Sequence, residues 1–474
     1  MSTAYLSYHA RVRPRALALI IPGRRVTYAE LDADVNRYAR GLRDLGVGPA
    51  SGCVAVEASN RYRQRVITLA LDRLGATVTP WTDRRADLRV SPRPREGAAN
   101  RVLISGRWTA AVEAAAPDPV APAPRDPDAI GRVQLTSGST GQPRRVGRSW
   151  RVLEGRAAEA VALFGLDRPG PWIVRTGLES GLGQALAAGA WSIGAPVASD
   201  LGSREIAELM ETEADGILGL TPLHLRELLA ALPRDYPGAP GYRVLATGGL
   251  LAPATARQAR LRLSADLHIV YGASESGRVA LGPASRLETD PGFVGWPAPG
   301  VTVDVVDEAG APVSPGAVGE VRVSGPASAA RYLDEDPAAA GRFRDAAVYT
   351  GDLGRFLPDG ALVLEGRADD QLNIGGVKVW PAPIEAAALE HPAVRDAACF
   401  AVRGAKGADE VWRALVADEE IGRDDMAEHL RGRGVKLPVM RFAWSQTLPR
   451  GETGKVDRAA LRERTMAALK RGGA

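Results

Sequence analysis

The sequence has little lysine, little cysteine and few aromatic residues, and it has no strong excess of one charge. Its two cysteines, Cys53 and Cys399, lie far apart, which excludes a disulfide framework and a cysteine-based metal-ligand spacing. We therefore expect a reducing, cytoplasmic location. The net charge is only +4, so the composition predicts no nucleic-acid partner and no membrane surface. No stretch approaches the roughly 20 apolar residues that span a bilayer, and arginines interrupt the N-terminal segment that a signal peptide would need.

Lysine is the most informative of these scarce residues. Arginine supplies nearly all of the basic charge, and no lysine occurs before position 378. The usage of Ala, Gly, Pro and Arg is typical of a GC-rich genome. A lysine that persists against this bias is a candidate for a position that arginine cannot fill, because a compact ammonium and a planar guanidinium bind differently. Plain surface lysines are the alternative. The lysines are Lys378, Lys406, Lys436, Lys455 and Lys470.

The first part of the chain has the pattern of an α/β protein. A length of 474 residues suggests two to four structural units. Residues 27–47 have helical periodicity, with Thr27 and Glu30 as a capping box and Gly46 at the end. Strand-like and helical segments then alternate, which predicts parallel α/β layers. Residues 91–130 are rich in Pro, Ala and Arg, and we expect them to be loosely structured or shortened.

The pattern changes after residue 292. Apolar and polar residues alternate there around Gly/Pro turns, which predicts an antiparallel β unit. From about residue 370 a smaller mixed unit of strands and helices continues to the end.

The first candidate site is a loop at residues 135–146, which read LTSGSTGQPRRV. It lacks the Gly-Lys-Ser/Thr ending of a Walker A loop. Its hydroxyls and glycines could nevertheless surround a phosphate, because they offer donors and a close backbone approach. A Ser/Gly linker is the alternative. The candidate phosphate ligands are Thr136, Ser137, Gly138, Ser139, Thr140, Gly141 and Arg144.

The second candidate is Tyr271-Gly272-Ala273-Ser274-Glu275, which follows the strand-like segment LHIV. We expect Gly272 to allow a tight exit from that strand, as at the carboxyl ends of parallel strands. Glu275 could hold a Mg²⁺ ion that bridges a polyphosphate. The alternative is a strand-end turn with a solvated glutamate.

Two further motifs lie closer to the C-terminus. In the segment 349–353, YTGDL, Asp352 follows a glycine and could hold a ribose diol, with Arg367 nearby as a charged donor. Two ordinary β-turns are the alternative. In the segment 448–458, LPRGETGKVDR, Lys455 follows a glycine before a predicted helix, and a surface lysine at a helix start is the alternative.

These four motifs, in this order and at these spacings, resemble the acyl-adenylate-forming superfamily of AMP-dependent synthetases and ligases. That superfamily includes acyl- and aryl-CoA synthetases, luciferase-like enzymes and the adenylation domains of nonribosomal peptide synthetases. The resemblance runs from TYAELDADVNRYARGLRDLGV to GKVDRAALR and includes ATGGLLAP, GFVGWPAPGVTVDVVDEAG and GAVGEVRVSGP.

The resemblance implies an α/β fold with two domains. A large N-terminal domain, residues 1–368, would consist of layered α/β subdomains plus a β-rich unit and would bind AMP and the acid. A small mobile α+β lid domain, residues 369–474, would carry the catalytic lysine.

The resemblance also implies roles for single residues. Lys455 matches the catalytic lysine, Glu275 the Mg²⁺ ligand and Asp352 the residue that binds both ribose hydroxyls. Arg367 matches the arginine at the ribose and the interdomain contact. The remaining residues implied to line the nucleotide site are Gly248, Gly249, Tyr271, Gly272 and Ser274.

A second half-reaction is implied as well, in which the C-terminal domain turns about a hinge at Asp369. The segment 374–380, which contains Gly376 and Lys378, would then face the site, and Gly376 would let a pantetheine arm pass close to the backbone. The form GGVKVWPAPIE resembles free-standing CoA ligases more than amino-acid adenylation domains.

The chain departs from the family pattern at two places. Arg144-Arg145 stands where Lys-Gly is usual, and arginine retains the charge that ATP binding needs. Val174 stands where a histidine or an aromatic residue is usual, and we expect it to line the acid pocket with Leu250. We hypothesise that Arg175 or Glu179 reads a charged group on the acid. The alternative is that both face solvent or an ion pair.

The resemblance therefore implies a ligase that uses ATP and Mg²⁺ to convert a small carboxylic acid to an acyl-adenylate and transfers it to CoA. Within enzymes, the alternatives are transfer to carrier-protein phosphopantetheine, with an acyl carrier protein as partner, and transfer to an amine. The alternative of another class is a degenerate, non-catalytic binding partner. We expect no nucleic acid, no membrane insertion, and a monomer or a homodimer.

Overall fold

The computed structural model describes residues 2–93, 100–136, 143–329, 331–334, 341–370, 372–374, 377–403, 409–417, 419–435, 441–450 and 456–472. Its helices are α1 (Ser2–Val12), α2 (Tyr28–Asp44), α3 (Arg61–Arg73), α4 (Gly106–Ala114), α5 (Trp150–Ala160), α6 (Gly181–Ile193), α7 (Ser203–Thr212), α8 (Pro222–Ala231), α9 (Pro253–Arg262), α10 (Pro381–Leu389), α11 (Arg423–Gly432) and α12 (Arg458–Gly472). Within the described residues, no helix combines the length and the apolar character needed to cross a membrane.

The strands of the described residues fall into four sheets. Those of the first half are β1 (Leu17–Ile21), β2 (Arg24–Thr27), β3 (Cys53–Val56), β4 (Thr77–Thr79), β5 (Leu88–Ser91), β6 (Arg101–Leu103), β7 (Ile130–Thr136), β8 (Arg144–Ser149), β9 (Trp172–Val174), β10 (Val197–Ser199), β11 (Gly216–Leu220) and β12 (Tyr242–Thr247). Those of the second half are β13 (Leu267–Ala273), β14 (Gly277–Pro283), β15 (Phe293–Pro297), β16 (Thr302–Val306), β17 (Gly319–Ser324), β18 (Phe343–Arg344), β19 (Ala347–Phe356), β20 (Leu362–Arg367), β21 (Leu372–Ile374), β22 (Val377–Val379), β23 (Val394–Arg403), β24 (Asp409–Ala417) and β25 (Arg441–Trp444).

The largest sheet joins the predicted parallel and antiparallel units. Its parallel part has the order β1-β10-β9-β11-β12-β13, and each strand pairs in parallel with the next. The sheet continues through β14, β15, β20, β19, β17 and β16, in which all pairings are antiparallel. The α/β pattern and the antiparallel β unit are therefore both confirmed, and the hairpin β13–β14 connects them.

A second sheet has the order β6-β5-β3-β4-β7-β8 and is parallel except for the hairpin β7–β8. A hydrophobic core that includes Leu31, Val66 and Leu186 lies among α2, α3 and α6, next to this sheet. Helix α2 begins with the predicted capping box: Thr27 accepts from the backbone of Glu30, whose carboxylate accepts from the backbone of Thr27. Gly46, with φ of 79°, follows the end of the helix, as expected.

The expectation for residues 91–130 is wrong in part. Their described part contains strand β6 and helix α4, which begins at the N-cap Ser105, whereas the segment from 115 to 129 has no helix or strand. The strand escapes the sequence pattern because it has three residues, and short parallel strands show no alternation.

The region after residue 370 has its own cores. A three-stranded sheet, β23-β24-β25, packs on α10 and α11 through residues that include Leu415, Met426 and Leu430. In the described part of the chain, the cores on this sheet share no buried member with the two large cores that precede it. The boundary between 368 and 369 stays a prediction.

Candidate active site

The carboxyl ends of four adjacent parallel strands meet at one edge of the large sheet. Arg175 follows β9, Thr221 follows β11, and Gly248, Gly249 and Leu250 follow β12. The fourth strand, β13, carries the Tyr271 motif. In open α/β sheets this edge is where ligands bind, because the connecting loops are free to vary there.

The residue that ends β9 is buried, whereas the residues that follow β12 are exposed and accessible to a ligand. Val174 is buried at the end of β9, whereas Gly248, Gly249 and Leu250 are exposed, Leu250 to 41%. Gly248 has φ of 81°, a left-handed conformation that glycine adopts without strain.

The prediction that Gly272 allows a tight exit from its strand is wrong. Strand β13 continues through Gly272 to Ala273 and returns as the antiparallel strand β14, with Ser274 and Glu275 in the turn. The register shifts between Tyr271 and Gly272, and a Cβ atom at 272 would lie 2.3 Å from the carbonyl oxygen of Gly277. Gly272 is thus required by the close approach of two strands at a bulge.

Asp352 is held at both carboxylate oxygens. The hydroxyl of Tyr271 donates to Oδ2 at 2.5 Å, and Nη1 of Arg367 donates to Oδ1 at 2.9 Å. Asp352 and Arg367 are cross-strand partners in β19 and β20, so the suggestion that these motifs are only β-turns is wrong. Burial, followed by the negative charge of Asp352, raises the pKa of Tyr271 well above its usual value, so the phenol stays a donor.

Glu275 also has a defined environment. Its Oε1 accepts from the hydroxyl of Tyr332 at 2.7 Å, and the guanidinium of Arg144 lies 5.4 Å from the centre of the Tyr332 ring. The backbone N–H of Ala329 donates to the carbonyl of Glu275 at 2.7 Å. Of the alternative, the turn is present, but the carboxylate of Glu275 is hydrogen-bonded to Tyr332 and is not merely solvated. Glu275 thus lies near Arg144, which ends the predicted phosphate loop.

The two strands that flank the predicted phosphate loop form a hairpin, in which Thr136 pairs with Arg144. The loop residues Ser137, Gly138, Ser139, Thr140 and Gly141 lie outside the described residues. Arg145, on the opposite face of β8 from Arg144, makes ion pairs with Asp83 at 3.0 Å and Asp334 at 3.5 Å. Arg144 thus lies near Tyr332 and Glu275, whereas Arg145 pairs with other carboxylates.

Arg175 and Glu179 each have an ion-pair partner. Arg175 lies 3.5 Å from Glu227, and Glu179 lies 2.5 Å from Arg65, which also contacts Asp200. Of the two interpretations made from sequence, these contacts favour the ion pair. The hypothesis that either residue reads a charge on the acid stays a prediction.

The C-terminal region contacts the large region beside this edge. Asp396 of β23 accepts from Arg226 of α8 at 3.3 Å and from Arg450 at 2.5 Å. Arg450 forms an isolated β-bridge with Val456, so the two residues that flank positions 451–455 lie next to each other. Lys455 and Gly376 lie outside the described residues, as do the side chains of Asp369 and Lys378.

The sequence motifs missed four side chains of this site. Tyr332 contacts Glu275, and the arginines Arg148, Arg156 and Arg278 lie near one another behind the β13–β14 turn. Single arginines carry no local signal in a chain where arginine is the common basic residue. Of these four residues, only Arg278 could have been suspected from sequence, because it lies three positions after Glu275 of the predicted motif.

Comparisons with known proteins agree with this geometry. Residues 6–333 match a protein-family model described as AMP-binding enzyme. The chain is 32% identical to the probable non-canonical nonribosomal peptide synthetase CymA of Salinispora arenicola, over 95% of the chain but only 6% of the length of CymA. It is 29% identical to indoleacetate–CoA ligase of Aromatoleum aromaticum, over 97% of each chain. The o-succinylbenzoate CoA synthetase of Bacillus subtilis has the same fold, with a TM-score of 0.82 at 20% identity over 97% of each chain.

Proposed function

Because the chain belongs to the AMP-binding enzyme family, we propose that it activates a small carboxylic acid with ATP and transfers the acyl group to CoA. The first step forms an acyl-adenylate and releases pyrophosphate. The second forms a thioester and releases AMP.

The observation that carries this proposal is the double contact of Asp352. With one oxygen held by Tyr271 and the other by Arg367, the carboxylate is fixed at the edge where ligands bind in α/β sheets. A carboxylate accepts up to four hydrogen bonds, so each oxygen can still accept one from a ribose hydroxyl. This arrangement suits a nucleoside better than a phosphate, since a second anion would be repelled.

The polyphosphate would lie next to the ribose, between the loop 136–144 and Glu275. Arg144 supplies a fixed charge there, and arginine can bind phosphate through two parallel donors. The charge of Arg144 would balance the negative charge that develops on pyrophosphate as it leaves.

Magnesium fits this place by its donor chemistry. Tyr332 holds one oxygen of Glu275, and Mg²⁺ typically takes one or two carboxylates and completes its shell with phosphate oxygens and water. Among the described residues, no group of three or more His, Cys, Asp or Glu side chains could hold an ion alone. Glu275 would hold the ion, which would supply charge neutralisation on the phosphates.

The acid needs no general base, because a carboxylate with a pKa near ~4 is ionised at neutral pH. The difficulty is to bring one anion to another, the α-phosphate. A flexible ammonium can contact both and stabilise the charge of the transition state, and we assign this role to Lys455.

The contact of Asp396 with Arg226 and Arg450 supports this assignment. Arg450 lies beside α8, a helix that begins at the binding edge, and Lys455 is five positions further along the chain. A fully extended stretch of five residues spans at most about 18 Å, which limits the chain distance between Arg450 and Lys455.

The preference for CoA rests on the segment GGVKVWPAPIE and on the whole-length match with indoleacetate–CoA ligase. Transfer to a carrier protein is the second candidate, since CymA is described as a nonribosomal peptide synthetase.

A product assay distinguishes these acceptors. Small aryl, fatty and amino acids are each incubated with ATP and Mg²⁺, together with CoA, a phosphopantetheinylated carrier protein or an amine, and AMP and the acylated product are measured. We expect acyl-CoA and stoichiometric AMP only with CoA. AMP release that depends on the carrier or the amine instead would contradict the choice of acceptor and leave adenylation intact.

A further inference from the structure

Three arginine side chains from different elements lie near one another behind the turn that carries Glu275. They are Arg148 of β8, Arg156 of α5 and Arg278 of β14. Burial and then the charge of Arg156 lower the pKa of Arg148 to about 9 and of Arg278 to about 10. Burial alone lowers the pKa of Arg156 to about 10. Each guanidinium therefore lies in a poorly solvated place, and Arg156 lies close to the other two.

The cations in this group outnumber the anions. Glu159 pairs with Arg278, and Glu275 is the further carboxylate near Arg148. The Nη1 of Arg148 donates to the carbonyl of Ala327, while its Nε and Nη2 are buried without a hydrogen-bond partner. Since Glu275 is assigned to the Mg²⁺ ion that accompanies ATP, Glu159 is the one carboxylate that remains for the three guanidinium groups.

Arg156 is the unbalanced member. Nowhere in the described ranges does a residue make a hydrogen bond or an ion pair with it, although many other buried arginines here have carboxylate partners. It lies deep in the protein yet remains partly exposed, as a side chain that lines a cleft does. An uncompensated cation in such a place costs free energy, and an anionic ligand would remove that cost.

The position of the group relates it to the acid rather than to the ribose. Arg278 is the cross-strand partner of Gly272. A Cβ atom on Gly181, at the start of α6, would lie 2.9 Å from Nη2 of Arg156. A Cβ atom on Gly183, in the first turn of α6, would lie 2.8 Å from Cγ1 of Val174, which is predicted to line the acid pocket. The arginines thus border that pocket, whereas Asp352 contacts Tyr271, the residue before Gly272 in β13.

We propose, on the basis of the carboxylate-activating function above, that Arg156 and Arg278 bind a second carboxylate of the substrate, which is therefore a dicarboxylic acid. One carboxylate would be adenylated, and the other would pair with Arg156. Arg278, already paired with Glu159, would supply a further donor. Planar guanidinium groups suit this task because they bind a carboxylate through two parallel hydrogen bonds.

The test compares acids that differ by one carboxylate. Acid-dependent exchange of labelled pyrophosphate into ATP is measured for butyrate and succinate, hexanoate and adipate, and benzoate and the benzenedicarboxylates. Charged hydrogen bonds contribute about 1.5–3 kcal/mol, so we expect kcat/KM to be roughly 10- to 100-fold higher for the dicarboxylate in the best pair. Equal or better exchange with the monocarboxylates overturns the inference but not the function. The absence of exchange with every acid overturns the function itself.

Variants of Arg156 identify the residue responsible. In Arg156→Met, which keeps the volume but not the charge, we expect the preference for the dicarboxylate to disappear and the KM for ATP to stay unchanged. Arg156→Lys should keep part of the preference and serves as the second variant if the first fails to fold. The control is Arg151→Ala, an exposed residue of the same helix that pairs with Asp128. A uniform rise in the KM for ATP with all acids would mean that Arg156 binds phosphate, and it would overturn the inference.

Discussion

The two charged groups beside the β13–β14 hairpin differ in their balance of charge. Around Asp352, the carboxylate contacts one cation and one neutral phenol, so the group is balanced before any ligand binds. Around Arg156, three guanidinium groups share one carboxylate that has no other role. A balanced group is suited to neutral hydroxyls, whereas an unbalanced group is suited to an anion. The difference therefore suggests which part of the substrate each side receives.

The largest effect is expected from a change that leaves both groups intact. Lys455→Ala should lower acid-dependent pyrophosphate exchange by roughly 10²- to 10³-fold, because a charge that stabilises the transition state is lost. The KM values for ATP and acid should change little, since neither binding group is altered. Lys470→Ala is the control. An unchanged exchange rate in Lys455→Ala would contradict the catalytic assignment.

A change at Asp352 breaks the balanced group. Asp352→Asn leaves Arg367 without its carboxylate and removes one ribose acceptor, so we expect the KM for ATP to rise by about 10- to 100-fold. Initial-rate measurements over a range of ATP concentrations check this. Asp304→Asn, which breaks an ion pair with Arg322 in the antiparallel part of the same sheet, should leave the KM for ATP unchanged. An equal effect of the two variants would show that the loss is structural.

A change at Glu275 tests whether this carboxylate holds Mg²⁺ or instead compensates the charge of Arg148. Glu275→Gln can still accept from Tyr332 but loses its charge, so we expect the Mg²⁺ concentration for half-maximal exchange to rise by roughly tenfold. A Mg²⁺ titration at saturating ATP and acid measures it, with Glu288→Gln, at an ion pair with Arg260, as the control. If the Mg²⁺ requirement is unaltered, Glu275 does not hold the ion.

The stability of the folded protein should distinguish balanced from unbalanced arginines. The lowered pKa of Arg156 means that its charged form, which predominates at neutral pH, is less stable in the folded protein than in the unfolded chain. Arg156→Met should therefore raise the melting temperature by about 1–3 °C. Arg73 is fully buried but contacts Asp32 at 2.7 Å and Asn36 at 2.5 Å, so Arg73→Met should lower stability by about 3 kcal/mol. Calorimetry on both variants checks this. Destabilisation by Arg156→Met would show that its charge is compensated.

The smallest effect is expected at the residues that the sequence singled out for reading charge. Arg175 and Glu179 already have the partners Glu227 and Arg65. Arg175→Ala and Glu179→Ala should therefore change the ratio of kcat/KM for paired mono- and dicarboxylic acids by less than about threefold, because neither charge is left for the acid. A larger change in the acid panel would restore the sequence-based hypothesis and weaken the role of Arg156.

The sequence predicted those features that depend on local pattern. The capping box of Thr27 and Glu30 was predictable because both partners lie within one turn, and the family motifs drew attention to Glu275, Asp352 and Arg367. The pairing of Tyr271 with Asp352 was not predictable, since 80 residues separate the motifs and strand patterns do not name their partners. The arginine group was hidden for the same reason: Arg148, Arg156 and Arg278 come together only when β8, α5 and β14 pack.

The central claim is that this chain adenylates a carboxylic acid, and pyrophosphate exchange tests it most directly. The wild-type protein is incubated with ATP, Mg²⁺ and labelled pyrophosphate, with and without each acid and with no acceptor present. We predict that label enters ATP only when an acid is added, and fastest with a dicarboxylic acid. Label that enters ATP equally without acid, or enters with none of the acids, would contradict the claim.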